Sequence, residues 1–257
     1  MAVEESSNSL ASSFTDLMTS LAVIFILLLV ASINNQHQEL SSMRDKLAQR
    51  TKSVKDRREE LMKKLKADLV PQLPNLQIEE DPKDPFGVLV IPPKKLEGFE
   101  KDHSDLPAEA EGYLNNFAPK LASVVCSDVL RRELSSVVVE GHADSSGTDE
   151  HNLRLSVDRS MMVVSDSLRA VGPTGASMSQ QTIDCFAHLL TTSGRGKGET
   201  LTTNGVEDRE RSRRVVFKIR LKTLEEKELE ASDRTLAATT LKSSPFEPVS
   251  TNGTKRP

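Results

Sequence analysis

Two sets of residues in this sequence have side chains and spacings suited to chemistry. The first is a single carboxylate, Asp16, near the start of an apolar run over residues 14–33. An ionised carboxylate in an apolar helix is energetically costly. Its presence therefore indicates a function, which is by default the uptake and release of a proton or a cation. The second set is Asp144 and Arg159, which offer partners for an ammonium and a carboxylate, respectively. This pair suits a zwitterion such as an amino-acid head group, unless its two side chains simply form a surface salt bridge with each other.

The run over residues 14–33 has the length of a transmembrane helix. Twenty helical residues at about 1.5 Å each reach about 30 Å, the thickness of the hydrocarbon core. The segment before it, residues 1–13, contains two acids and no Lys or Arg. We therefore expect a permanent anchor and not a cleaved signal peptide. Thr19 lies one helical turn from Asp16 and is expected either to line the same ion path or to pack against another helix.

The basic residues nearest to this span follow it. Arg44, Lys46, Arg50 and Lys52 lie on its carboxyl side, and the positive-inside rule would place that side in the cytoplasm. This charge distribution opposes the topology that the family resemblance described below implies.

The composition excludes several classes of function. The 257 residues carry a formal net charge of −4 with a pI near 5.8, whereas nucleic-acid binding proteins usually present a strongly basic surface. We therefore expect no nucleic-acid partner. Cys126 and Cys185 have no C-x-x-C spacing and no neighbouring His cluster, so we expect no metal site and no cofactor. The two cysteines either form a disulfide in an oxidising compartment or stay free and buried.

A long helix is expected after the span. Leu40, Leu47, Val54 and Leu61 recur every seven residues within the charged segment 34–70, which predicts an amphipathic stalk helix. This partial heptad pattern is either the seam of a parallel homodimer or the face by which one helix lies on its own domain or on lipid headgroups. The prolines of residues 71–85 then predict a hinge.

Residues 86–222 have the pattern of a globular α+β domain with a mixed sheet. Strands are predicted over residues 88–91, 136–140 and 215–222, the last because apolar side chains alternate with charged ones from Phe217 onward. Helices are predicted near residues 114–124, 152–170 and 179–190. Residues 223–257 form a tail that is charged and rich in Ser, Thr and Pro, and we expect it to be disordered after about residue 232.

The helix over residues 152–170 should present Asn152 and Arg159 together. At 100° per residue its apolar side chains cluster within about 80°, and Arg159 falls roughly opposite them. Asn152 lies about 20° from Arg159 on the same wheel. We therefore expect both to face outward, beside the turn that carries Asp144, with His142 as a turn residue. The predicted buried stripe consists of Leu153, Val157, Met161, Val164 and Leu168.

Four motif elements occur in order along residues 86–222: Gly141-His-Ala-Asp144-x-x-Gly147, Asn152, Leu155-Ser156-x-x-Arg159 and Arg213-Arg214-Val215. Together they resemble the OmpA-like peptidoglycan-binding domain. The resemblance covers residues 86–222 and implies a βαβαβ fold. It also implies that Asp144 and Arg159 bind the diaminopimelate of the wall peptide, with Asn152 and Arg213 in the same site. The sequence departs from the family pattern at Ala143, where Thr is usual, and at Ser212, where Asn is usual.

The amino-terminal span resembles a second signature. Phe14-Thr-Asp16-Leu-Met-Thr19 is similar to the Tyr-Ala-Asp-Leu/Phe-Met-Thr motif of MotB-type stator subunits. That resemblance implies a homodimer inside a MotA-like (ZorA-like) ring, with Asp16 taking up H+ or Na+. It also implies a cytoplasmic amino terminus and a periplasmic domain. Ser212, Ser160 and the short amino terminus look more like the B subunits of Zorya anti-phage systems than like flagellar stators.

The expected function is therefore that of an ion-channel-forming B subunit of an inner-membrane motor, anchored to peptidoglycan and active in anti-phage defence. A flagellar-type stator subunit and a passive peptidoglycan tether remain as alternatives. An enzyme of wall remodelling is not expected, because no nucleophile or metal set can be assembled from the sequence.

Overall fold

The structure is a computed structural model that describes residues 2–93, 96, 99–106, 108–172, 175 and 178–243. Side chains are described for these residues except 2–16, 108, 234 and 236–243. The chain divides into two compact units, Met1–Val54 and Lys55–Pro257.

The first unit is helical throughout its described length. It belongs to helix α1, Ala2–Leu69, which contains the one stretch in the described part of the chain long and apolar enough to cross a membrane. The large apolar side chains of residues 17–33 are 47–66% exposed. Such a continuous apolar surface is unfavourable in water and matches the hydrocarbon of a bilayer.

The second unit is built on a five-stranded mixed sheet. The strand order is β1-β2-β7-β3-β4, in which β3 and β4 are parallel and the other neighbours are antiparallel. Two further short strands form a separate hairpin. The strands are β1 Gln77–Glu80, β2 Gly87–Ile91, β3 Leu134–Gly141, β4 Leu190–Gly194, β5 Thr202–Thr203, β6 Val206–Glu207 and β7 Val215–Leu221.

Helices cover one face of this sheet. Alternation along the strands directs Val137 and Val139 of β3, with Phe217 and Ile219 of β7, into a core that also contains Phe117. The α+β class predicted from the sequence is confirmed. The remaining helices are α2 Ala108–Val125, α3 Leu130–Glu133, α4 Asp149–Val171, α5 Gln180–Leu189, α6 Arg209–Ser212 and α7 Leu224–Ser243.

The proline-rich segment 71–85 differs from the hinge expected from the sequence. A short 3-10 helix, Val70–Gln72, is followed by β1, which pairs with β2. The prolines at positions 71, 74, 82 and 85 all lie outside β1, so they do not interrupt its pairing. Leu73, Leu76 and Ile78 are buried in the core. The segment is therefore an integral part of the domain.

The carboxyl-terminal part of α1 also contributes to this core. Leu61, Leu65 and Leu69 are buried in the cluster formed by the sheet and its helices. Leu40 and Leu47, in the first unit, are exposed. The last position of the heptad pattern, Leu61, thus packs on the chain's own domain.

The structure resolves two further points left open by the sequence. Cys126 and Cys185 form a disulfide with an S–S distance of 2.17 Å and a Cα–Cα distance of 6.0 Å, which joins the end of α2 to α5. Helix α7 continues to Ser243, further than the boundary near residue 232 at which we expected disorder to begin. Residues 244–257 lie outside the described part of the chain.

Candidate functional site

The predicted site lies where β3 ends and α4 begins. A Cβ atom on Gly141 would lie 1.9 Å from the backbone oxygen of Ser156, and one on Gly194 would lie 2.5 Å from the Ser156 hydroxyl. The Ser156 hydroxyl donates to the Leu153 carbonyl at 2.7 Å and accepts from the Gly196 N–H at 3.0 Å. Helix α4 therefore rests directly on the ends of β3 and β4, which fixes the positions of the side chains that follow.

Asp144 is almost fully buried in the loop after β3, at 4% exposure. Its Oδ2 accepts from Arg213 Nη1 at 2.9 Å, and its Oδ1 accepts from the Ser146 N–H at 2.9 Å and from the Ser146 hydroxyl. Burial by itself would raise the pKa of Asp144, but the hydrogen bonds from Ser146 and Arg213 outweigh it and hold the pKa below its ordinary value. Asp144 is consequently a carboxylate at neutral pH.

Arg159 is completely buried, at 0% exposure. Its Nε donates to the His103 carbonyl at 3.0 Å, its Nη1 to the His142 carbonyl at 3.2 Å and its Nη2 to the Glu100 carbonyl at 2.9 Å. The guanidinium carbon lies 5.1 Å from the centre of the Phe99 ring. Burial and then the charge of Arg213 lower the pKa of Arg159 to about 10, so the side chain remains charged at neutral pH.

The predicted orientation of α4 is wrong. We expected Asn152 and Arg159 to face outward and Leu153 and Met161 to be buried, but Leu153 is 51% and Met161 52% exposed, while Asn152 and Arg159 are buried. Strands β3 and β4 end in Gly141 and Gly194, which leave room for the small Ser156 of α4. Backbone carbonyls accept hydrogen bonds from the Arg159 guanidinium. Polar groups with such partners can be buried at little cost.

Asn152 holds the loop that carries Asp144. Its Nδ2 donates to the Ser146 carbonyl at 2.6 Å and to the Asp144 carbonyl at 3.3 Å. Gly147 closes the same loop with a φ of 83°, a conformation that glycine adopts without strain. Asn152 therefore orients the carboxylate instead of projecting from the surface.

Arg213 links the loop to a neighbouring segment. Its Nε donates to the Phe99 carbonyl at 2.6 Å, and its Nη1 reaches Asp144. Ser212, where Asn is usual, is fully buried. Its hydroxyl donates to the Asp208 carbonyl at 2.7 Å and accepts from the Leu201 N–H at 2.9 Å. The departure from the family pattern thus keeps an anchor immediately before Arg213.

The structure brings Asp144, Asn152, Arg159 and Arg213 into one cluster, in which Asp144 pairs with Arg213 and not with Arg159. Residues 99–103 lie over it and were not predicted, because they contribute backbone carbonyls, which carry no side-chain signal. This covering segment includes Asp102, which has a φ of 61° and whose Oδ1 lies 3.0 Å from His151 Nε2. The Asp144 carboxylate and the guanidiniums of Arg159 and Arg213 have charges complementary to those of a zwitterion. The covering segment would have to move to admit such a ligand.

Asp16 and Thr19 lie apart from this cluster in the chain, in the first unit. The Asp16 backbone is helical and its side chain is outside the described part, while Thr19 is exposed. Among the residues that the structure describes, no group of three or more His, Cys, Asp or Glu side chains could hold a metal ion.

Several solved structures are similar to parts of this chain, among them a periplasmic domain and an OmpA-like domain. The periplasmic domain of Helicobacter pylori MotB is 13% identical, with a TM-score of 0.41 over 69% of this chain and 95% of that one. The OmpA-like domain of FopA1 from Francisella tularensis is 19% identical, with a TM-score of 0.37 over 57% of this chain and 81% of that one. No family model matches the chain.

One relative matches most of the length of this chain. The chain is 25% identical over 225 residues to Zorya protein ZorB of Escherichia coli O139:H28, which covers 86% of this chain and 84% of that protein. The resemblance to the Zorya B subunit that the sequence motifs indicated is thereby confirmed.

Proposed function

We propose that this chain is the B-type subunit of an ion-driven motor in the bacterial inner membrane, anchored to peptidoglycan by its second unit. The observation that carries the proposal is the presence, on one chain similar to a ZorB, of a membrane-length apolar helix and the buried Asp144, Arg159 and Arg213 cluster. A motor needs both parts, because force on the membrane helix requires a fixed point outside the membrane.

The cluster is suited to the diaminopimelate of a wall peptide. Asp144 would accept from the ammonium of that residue, and Arg159 and Arg213 would donate to its carboxylate. The three side chains carry one negative and two positive charges, so the zwitterion meets complementary groups of both signs. Asn152 would keep the Asp144 loop in place. Binding requires Arg159 to exchange carbonyl partners in the covering segment for the ligand carboxylate.

The disulfide supports a periplasmic location for the second unit. Disulfides persist in oxidising compartments and are rare in the cytoplasm, and Cys126 is bonded to Cys185. The amino terminus would then be cytoplasmic and the chain would cross the membrane once. This evidence opposes the positive-inside argument from the basic residues after the span.

In the membrane, Asp16 would take up and release H+ or Na+, with Thr19 on the same path. Neutralising an intramembrane carboxylate removes its desolvation cost, so each ion step changes the helix contacts by a few kcal/mol. Two copies would lie inside a MotA-like (ZorA-like) ring, with the exposed Leu40 and Leu47 at the dimer seam. By analogy with the Zorya relative, the motor would act in anti-phage defence.

Phage challenge of cells that carry the complete system tests the ion-coupling role. Asp16→Asn should abolish protection while the protein remains in the membrane at its normal level. Asp45→Asn changes an exposed carboxylate on the same helix and should keep protection. Full protection by Asp16→Asn would instead identify a passive tether.

Wall binding is tested separately by sedimentation of the detergent-solubilised full chain with purified peptidoglycan. Asp144→Asn should reduce the bound fraction at least tenfold, whereas Asp149→Asn, at an exposed carboxylate, should not. Wild-type binding by Asp144→Asn would remove the cluster from the wall site. Release of soluble wall fragments by the wild-type chain would show an enzyme instead of an anchor.

A further inference from the structure

A cleft of about 320 Å³ lies on the face of the sheet that the helices leave open. Its apolar floor is formed by Leu89, Ile91 and Val216 of β2 and β7, and Glu140 and His142 line its end. Residues 195–201 contribute one wall through Arg195, Glu199 and Leu201. Asp144, Asn152, Arg159 and Arg213, here called the wall-peptide cluster, are not part of this lining. The cleft is therefore separate from that cluster.

Among the residues that line the cleft, His142 is the one whose buried side-chain nitrogens lack a hydrogen-bond partner in the described part of the chain. It is 1% exposed, yet neither Nδ1 nor Nε2 has a hydrogen-bond partner within the described part of the chain. A buried polar atom without a partner costs about 1–3 kcal/mol. A buried imidazole without a partner in the chain needs an explanation, and a ligand that hydrogen-bonds to it is one.

The protonation state of His142 defines what it can bind. Burial, followed by the charges of Arg214, Arg195 and Lys83, lowers the pKa of His142 to about 3. The ring is therefore neutral at physiological pH and offers one donor and one acceptor. A ligand group that both accepts and donates, such as a hydroxyl or an amide, is its complement.

The charges around the cleft compensate one another. Arg195 contacts Glu140 at 2.8 Å, and Lys83 contacts Glu199 at 2.7 Å. Asp81, a further lining residue, contacts Lys218 at 2.6 Å. A charged ligand would have to compete with these pairs, whereas a neutral ligand can accept and donate hydrogen bonds at their edges. The cleft thus favours a neutral, hydrogen-bonding molecule with an apolar face.

We propose that this cleft binds a neutral sugar unit bearing hydroxyl and acetamido groups. A pyranose ring has an apolar face for Leu89, Ile91 and Val216 and a polar edge for His142 and Glu140. The cleft volume is near the lower end of ligand sites, about 300–1,000 Å³, which suits one sugar ring.

The position of His142 connects this cleft to the wall-peptide cluster. Its carbonyl accepts from Arg159, and the same residue belongs to the lining of the cleft. The glycan strand of the wall is covalently joined to its peptides, so one wall fragment would occupy both sites. This identification of the sugar's source rests on the proposed function, whereas sugar binding itself does not.

Ligand-observed NMR with the full chain in lipid nanodiscs tests the proposal. One probe is a tetramer of N-acetylglucosamine, which contains no peptide, and the other is a diaminopimelate tripeptide, which contains no sugar. His142→Phe should weaken tetramer binding at least tenfold. His188→Phe changes an exposed histidine on α5 and should alter the binding of neither probe.

A second variant avoids changing the buried histidine. Leu201→Trp places a larger side chain in the wall of the cleft and so reduces the volume left for a ligand. It should also weaken tetramer binding at least tenfold. Failure of the wild-type chain to bind the tetramer at millimolar concentration, or wild-type binding by both variants, would overturn the sugar site. Tetramer binding without tripeptide binding would support the sugar site and contradict the proposed peptide site.

Discussion

At the residue scale, Arg159 combines a structural and a proposed binding role. Its guanidinium donates to three backbone carbonyls from two segments, residues 100–103 and His142. The sequence identified the residue through its motif but placed it on the surface. Its burial depends on carbonyl groups that every residue type possesses, and therefore no pattern of side chains could reveal it.

Arg159→Ala should destabilise the second unit by about 3 to 5 kcal/mol, because it removes a buried charge and leaves three carbonyls without their donor. Arg154→Ala, at an exposed position on the same helix, should change stability by less than about 0.5 kcal/mol. Thermal unfolding of the full chain in detergent, followed by circular dichroism, measures both. Equal stability of the two variants would contradict the buried network.

His142 should make the stability of the second unit depend on pH. Its pKa is about 3 in the folded chain and has an ordinary value of 6.5 in the unfolded chain. Between these values the unfolded state binds a proton that the folded state does not, so stability falls as the pH decreases from about 6.5 towards 3.

The expected contribution of His142 to this loss is about 2 kcal/mol between pH 8 and pH 5. His142→Phe removes the titrating group, so its unfolding free energy should fall by that much less over the same range. The measurement is chemical denaturation at both pH values. Identical pH profiles for the variant and the wild-type chain would show that the ring is accessible to protons in the folded state.

At the element scale, the contact between α4 and the sheet is made through small residues. Gly141 and Gly194 leave room for Ser156, so the helix approaches the strands closely. The helix itself was predicted correctly from its length and periodicity. Its buried face was not, because hydrophobicity selected Leu153 and Met161. The combination of strand-terminal glycines with Ser156 and Ser160 was the signal available in the sequence.

Gly141→Ala should destabilise the second unit by about 3 kcal/mol or more, because its Cβ would lie 1.9 Å from a backbone oxygen of α4. Gly112 on α2 is the matched control, since a Cβ there meets nothing within 4 Å. Gly112→Ala should stabilise by about 0.5 to 1 kcal/mol, as expected for a helical glycine. Denaturant unfolding of both variants tests the contrast, and a tolerated Gly141→Ala would refute the close contact.

Strong apolar periodicity explains which strands the sequence could predict. β2, β3 and β7 are rich in Val and Ile, and all three were expected. β1 contains one apolar residue, Ile78, among polar neighbours, and β4 is Leu-Thr-Thr-Ser-Gly directly after α5. Both lie at the edges of the sheet, where a strand pairs with a neighbour on one side only. Their conformation therefore depends on that pairing and not on a pattern in their own residues.

At the scale of the whole molecule, the disulfide joins the end of α2 to the neighbouring helix α5. Cys126 and Cys185 are 59 positions apart, and a cross-link over such a loop stabilises by about 4 kcal/mol through the entropy of the unfolded chain. Replacing both cysteines with serine should lower the unfolding free energy by about that amount.

Reduction of the wild-type chain before unfolding should give the same loss, and reduction of the double serine variant should have no effect. The measurement is denaturant unfolding with and without dithiothreitol. A wild-type chain that is indifferent to reduction would show that the thiols are not paired.

The same bond makes the stability of the second unit depend on the side of the membrane on which it folds. A chain inserted in the opposite orientation would expose that unit to cytoplasmic reductants and would lack the cross-link. A difference of about 4 kcal/mol corresponds to roughly a thousandfold larger unfolded population, and proteases degrade chains in proportion to that population. Under the topology proposed above, the disulfide lets subunits with a periplasmic second unit outlast those inserted in the opposite orientation.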